Sequence, residues 1–171
     1  MKAGVGIDAG LGLSRAQQRT LIQESARLHF RSFWSPAGLT GRSIFQICRE
    51  WWEATAEVVP GGLTVGTSVV PVPGYSVPQL AAESATLSEL TGGKFNLGIG
   101  LGSYPAESLR KQLGLPLVSP VDLTRDFLEP LRTLLQGETL AYDGKTVHLH
   151  GVKLGIQAPP TPIYLAAMGP R

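Results

Sequence analysis

The chain has 171 residues, 43% of them hydrophobic and 16% charged, with a formal net charge of +2. That balance fits one globular domain with a real core and excludes a disordered polyelectrolyte; without a basic run of five or more, it also argues against a nucleic-acid partner. A single cysteine, Cys48, excludes an internal disulfide and suits a reduced, cytoplasmic setting, and no apolar run is long enough for a membrane span.

Short β-like runs start near Val5 (VGI), Ser32 (SFW), Leu63 (LTVGTSVV), Phe95 (FNLGIG) and Pro162 (PIYLAA), the first four at intervals of 27, 31 and 32 residues. Each interval holds an amphipathic helix. Ser14 and Gln17 have the spacing of a capping box, after which Leu21, Ile22, Ala26 and Leu28 follow on one face and His29 falls in the last turn, where a cation complements the helix dipole. Ser43 and Gln46 open a second helix with a stripe of Ile44, Ile47, Cys48 and Trp51, on which Cys48 reads as core packing. Pro78 suits the first turn of a third helix carrying Leu80, Ser84, Leu87 and Leu90 and stopping at Gly92-Gly93. Ser119, Pro120 and Asp122 start a fourth, running through Phe127, Leu128, Leu131 and Leu135 to Gly137.

The rhythm breaks over residues 138–157, which read as a β-hairpin turning at Asp143-Gly144. Its His148 and His150 share one face; with no third ligand nearby in sequence they read as a solvated strand face, and no metal site is expected. The pattern predicts an α/β fold with parallel strands: strands 1–5 and helices 1–4 of a (β/α)8 TIM barrel plus the hairpin as a rim insertion, or else a complete open five-stranded sheet. No helix follows PIYLAAMGPR, so the first reading makes residues 1–171 the N-terminal portion of a single barrel domain.

In parallel α/β folds the active face lies at the carboxyl ends of the strands. Those ends are Asp8, Trp34-Ser35, Ser68 to Val70, Leu101 to Ser103 and Ala166 to Gly169. They hold neither a Ser/His/Asp set nor paired carboxylates, which suits a protein that positions a reactive cofactor. The stretch KFNLGIGLGS carries Gly98, Gly100 and Gly102 as G-x-G-x-G, one residue short of the dinucleotide fingerprint and on the fourth strand instead of the first. Its glycines read as admitting close contact with bare backbone. Asp8 is either an acid at the barrel mouth or a turn acid before AGLGLS.

Taken together and in order, MKAGVGID, SFWSP, LTVGTSVVPV, AAESATLSELTGGKFNLGIGLGS, LLQGETLAYDGKTV and PIYLAAMGPR resemble the luciferase-like flavin monooxygenase superfamily. Within it the likeness is greatest to the coenzyme F420-dependent oxidoreductases of the methylenetetrahydromethanopterin reductase-like group. The resemblance implies a TIM barrel, a small-molecule substrate and a homodimer. It implies hydride transfer with coenzyme F420, or, as the alternative, FMN-dependent oxygenation; a third possibility is a non-catalytic half-barrel acting only by association. It further implies a non-prolyl cis peptide at Ser68–Val69 behind the cofactor ring. Cofactor contacts are implied at Ser68, Val69, Val70, Gly100, Leu101, Gly102, Ser103, Ala166, Ala167, Met168 and Gly169. By the same resemblance Asp8 is a substrate-side acid. Ser103 stands where the reductase group has an acid, Leu101 where luciferase-type members have a phosphate-binding arginine, and Ser76-Val77-Pro78 where Arg-His-Pro is common.

Overall fold

The computed structural model describes residues 3–37, 41–104 and 106–167. Its strands are β1 (Gly4–Gly6), β2 (Ser32–Ser35), β3 (Thr64–Thr67), β4 (Val70–Pro71), β5 (Phe95–Gly100), β6 (Leu140–Asp143), β7 (His148–Val152) and β8 (Ile163–Leu165). β6 and β7 form an antiparallel pair, and the rest form one parallel sheet. Val5 pairs with Phe33, Phe33 with Val65, Val65 with Phe95, and Leu97 with Ile163. β4 pairs with the upper half of β5, Val70 against Ile99, so β3 and β4 are two pieces of one path along β5. The result is the expected five strand positions, each parallel neighbour reached through a helical crossover.

Alternation assigns the two faces. Phe33, Val65, Phe95, Leu97 and Ile99 are fully buried on one, and each such side chain is worth roughly 1.5–3 kcal/mol in transfer from water. The helices pack on that face. Ser32, Trp34, Thr64, Asn96 and Tyr164 line the other, where the Trp34 and Tyr164 rings meet edge to face with centroids 5.6 Å apart.

Helix α1 (Arg15–Arg27) opens with the predicted capping box, both halves formed between Ser14 and Gln17. Ile22, Ser25 and Ala26 are its buried residues; Leu21 and Leu28 face solvent, because they lie too far round the helix from Ile22 and Ala26 to share their stripe. His29 lies beyond the last turn. It adopts a left-handed φ of 67°, and the Phe30 N–H donates to the Ser25 carbonyl at 3.1 Å, closing the end as a Schellman turn. In α2 (Ile44–Ala56), Ser43 accepts the Gln46 N–H, while the Gln46 side chain reaches forward to Glu50 instead of back to its cap. Cys48 is wholly buried and burial pushes its thiol pKa up, as a core role requires.

Helix α3 (Val77–Leu90) has Pro78 in its first turn and ends before Gly92 and Gly93, both left-handed. Its buried stripe includes Leu80, Ser84 and Leu87, but Leu90 is exposed. A short helix unforeseen in the sequence, α4 (Glu107–Leu113), buries no residue and ends on left-handed Gly114. Helix α5 (Pro120–Leu135) starts at Ser119 as predicted and buries Asp126, Phe127, Pro130, Leu131 and Leu134.

The hairpin forms, but not with a two-residue turn. Asp143 stays in the strand opposite His148, and Gly144 opens a four-residue loop closed by its N–H to the Val147 carbonyl at 2.9 Å. The reason is the buried Asp126 carboxylate, which must have donors. The wider loop brings it the Thr146 N–H and hydroxyl, and Tyr142 donates its own hydroxyl at 3.1 Å. Gly144 is required there by proximity, since a Cβ would sit 2.7 Å from the Asp126 carboxyl carbon. Gly151, at φ 69°, makes a bulge between the Leu140 and Ala141 pairs, and both His148 and His150 are exposed.

Candidate active site

The site begins with a mismatch in strand length. Gly66 pairs with Asn96 and Val70 with Ile99, so three residues, Thr67 to Val69, stand against two, Leu97 and Gly98. The extra residue bulges. The Ser68–Val69 peptide within it is cis, at the bond the resemblance singled out. On the β2 side the bulge is held by the Ser68 N–H to the Ser35 carbonyl at 2.7 Å and the Ala37 N–H to the Val69 carbonyl at 3.4 Å. On the β5 side the ladder is replaced by one side chain. The Thr67 hydroxyl donates to the Gly98 carbonyl at 2.7 Å and accepts the Gly98 N–H at 2.8 Å.

This arrangement decides what residue 98 can be. A Cβ there would lie 2.0 Å from the Thr67 carbonyl oxygen, which is backbone and cannot swing away. Two residues on, the Val69 side chain flanks Gly100, its Cγ2 lying 3.1 Å from where a Cβ would stand. The Ala166 methyl lies 3.3 Å from the same point, and the Ala166 N–H donates to the Ile99 carbonyl at 2.9 Å. Val69, Gly100 and Ala166, from three strand ends, therefore form one small apolar wall.

The other expected positions spread around this rim. Ser68, Gly102, Ser103 and Ala167 are exposed. Gly102 is left-handed at φ 55°, with the Pro71 ring 3.0 Å from a would-be Cβ. Val70 turns its side chain into the core, and Leu101 packs partly against it. The Ser103 carbonyl accepts the Ala106 N–H at 3.0 Å. Asp8 follows β1, three strand positions from β5, and its Oδ1 accepts the Gly10 N–H at 2.7 Å, so that oxygen holds a turn. Met168 and Gly169 lie outside the described residues.

Two side chains that shape the rim escape sequence reasoning. Thr67 is one; its partner Gly98 is 31 residues away, and no local pattern joins them. The other is Tyr104, buried although it follows a Gly-Ser corner. Its hydroxyl donates to the Pro116 carbonyl at 2.6 Å and accepts the Val118 N–H at 2.9 Å, lashing the β5 corner to the segment that enters α5. Arg110 donates to the Tyr104 carbonyl at 2.9 Å and lies over its ring. A lone aromatic in a glycine-rich corner is the signal that could have found it.

Comparison with known proteins gives this geometry a setting. The profile of the luciferase-like monooxygenase family matches residues 6–171. A 5,10-methylenetetrahydromethanopterin reductase of Archaeoglobus fulgidus is 33% identical over 100 residues, which are 58% of this chain and 29% of that protein. The coenzyme F420-dependent tetrahydromethanopterin reductase of Methanopyrus kandleri superposes with a TM-score of 0.79 at 20% identity, over 99% of this chain and 51% of that one. The oxygenating constituent of 3,6-diketocamphane monooxygenase from Pseudomonas putida, solved with FMN, superposes with a TM-score of 0.73 at 17% identity, over 96% and 51%. The chain thus spans about half the length of the solved structures it matches and shares their fold: an open part of a TIM-barrel-like sheet.

Proposed function

The chain belongs to the luciferase-like monooxygenase family, and on that premise we propose that it serves a flavin- or deazaflavin-dependent oxidoreductase, with hydride transfer between coenzyme F420 and a small organic substrate as the reaction. The wall of Val69, Gly100 and Ala166 carries the cofactor part of this reading. Nothing larger than valine projects from it, so the face of a flat, largely apolar ring system fits against it with little to displace. The 33% identity to a methylenetetrahydromethanopterin reductase, together with the fold shared with a coenzyme F420-dependent tetrahydromethanopterin reductase, supports the deazaflavin reading.

A bound deazaflavin would supply the hydride donor or acceptor. The chain's own residues do the rest. The wall fixes the ring plane and keeps water from one face of it. Ser68, Leu101 and Gly102 offer backbone beside it, and Ala167 continues the rim after Ala166; the resemblance assigns Met168 and Gly169 to the same cofactor. Asp8, with one carboxylate oxygen on the Gly10 amide, is the candidate proton carrier on the substrate side. Ser103 offers a hydroxyl there in place of an acid.

A second reading, an FMN-dependent monooxygenase, is favoured by the family match and by the FMN-bound neighbour. Fluorescence titration of the chain with F420 and with FMN separates the two. F420 binding that weakens about tenfold or more in Gly100→Val, whose side chain would occupy the ring's place, is the expected result. Tight FMN binding without F420 binding replaces the first reading by the second. Binding of neither, in a chain that self-associates, leaves the half-barrel that acts only by association.

A further inference from the structure

We propose that Thr67 is a positioning residue for the cofactor wall, a role that rests on the deazaflavin or flavin reading above. Between the Gly66–Asn96 and Val70–Ile99 pairs, the backbone ladder between the third strand path and β5 is interrupted. Gly98 is buried there, and both its amide and its carbonyl need partners. The Thr67 hydroxyl supplies both, accepting from one at 2.8 Å and donating to the other at 2.7 Å. One hydroxyl thus does the work of two ladder bonds, and it does so from the residue that begins the bulge.

The consequence is a register. With the Thr67 hydroxyl on Gly98, the backbone of residues 68 and 69 must rise above the sheet and return at Val70. That path delivers the Val69 side chain beside Gly98 and Gly100, 3.6 and 3.1 Å from the points where their Cβ atoms would stand. The β2 contacts, Ser68 on Ser35 and Val69 on Ala37, hold the far side of the bulge but do not fix its height on β5. Thr67 is itself almost wholly buried, so its hydroxyl cannot exchange these partners for water. Serine has the same hydroxyl; valine has the same shape without it.

The test compares Thr67→Val and Thr67→Ser with the parent chain by two readouts. The first is hydrogen exchange of the Gly98 amide in the chain alone, without any cofactor. Exchange about tenfold or more faster in Thr67→Val, with protection retained in Thr67→Ser, is expected. The second is cofactor affinity by titration, expected to fall about tenfold in Thr67→Val and to be rescued in Thr67→Ser. Should Thr67→Val not fold, Thr67→Ala carries the same comparison. An equally protected Gly98 amide in the folded Val or Ala variant overturns the proposal. So does a loss of affinity as large in Thr67→Ser as in Thr67→Val, since the hydroxyl would then not be the cause. If the parent binds neither F420 nor FMN, the cofactor reading fails on its own, and the Gly98 amide still decides whether Thr67 sets the register.

Discussion

A glycine can be demanded by a neighbour instead of by its own torsion angles, and Gly98 is such a case. Its φ is not left-handed; its requirement comes from the Thr67 carbonyl oxygen 2.0 Å from any Cβ. Gly98→Ala should therefore force the two strands apart at the bulge, with a loss of about 3 kcal/mol by thermal or chemical denaturation, the upper range for overpacking. Gly102→Ala at the exposed end of the same run should also destabilise, by about 1–2 kcal/mol, but for its own torsion: a φ of 55° is left-handed, which a Cβ disfavours. The glycine alternation in KFNLGIGLGS is plain in the sequence, as is its spacing one residue short of the dinucleotide fingerprint. What the sequence could not show was the reason for each glycine. For Gly98 and Gly100 that reason is a residue on another strand, brought near only by the parallel pairing.

Among the elements, legibility followed the strength of the local signal. β5 runs over the predicted FNLGIG, and the caps at Ser14, Ser43 and Ser119 are all formed, because a cap is a contact between residues three apart. α4 escaped notice because it buries nothing and so carries no apolar stripe. Asp143-Gly144 does not form the two-residue turn that its sequence favours, because a buried charge on α5 overrides local turn preference. That charge makes a prediction. Burial pushes the Asp126 carboxyl up, but donation from Thr146, Tyr142 and the Lys145 amide outweighs it and holds the group below its ordinary value. A carboxyl depressed in the folded state contributes stability that is present above the unfolded value, about 3.9 for aspartate, and is lost as pH falls through the lower folded one. The hairpin amides near Thr146 should thus lose exchange protection only below about pH 4. In Asp126→Asn that acid limb should vanish and the hairpin should be destabilised by about 1–3 kcal/mol at neutral pH. Tyr142, whose own pKa is pushed up to about 12 by burial and by Asp126, stays a donor throughout.

At the scale of the whole molecule, the β8 side of the sheet is a broad apolar frontier. β8 is paired with β5 on one side, Tyr164 and Leu165 are about half exposed, and a 480 Å³ groove lined by Leu128, Arg132, Leu135, Ile163 and Leu165 runs between α5 and β8. Such an edge invites a further strand or chain. The chain should accordingly show concentration-dependent association in sedimentation experiments, and Leu165→Lys should shift it towards monomer; an unchanged distribution would place the contact elsewhere. Among the described residues no helix is long and apolar enough to cross a membrane.

The Trp34–Tyr164 contact has a bearing on what residue 66 can be. β2 and β8 are three strand positions apart, about 14 Å along a flat sheet at the usual strand spacing, yet the two rings meet at 5.6 Å. The gap is closed by the Trp34 ring leaning across Gly66 of the intervening β3, where a Cβ would stand 2.6 Å from it. Gly66 is therefore the gap through which an aromatic of β2 reaches one of β8, and a side chain there would hold the two rings, and the inner face they share, apart.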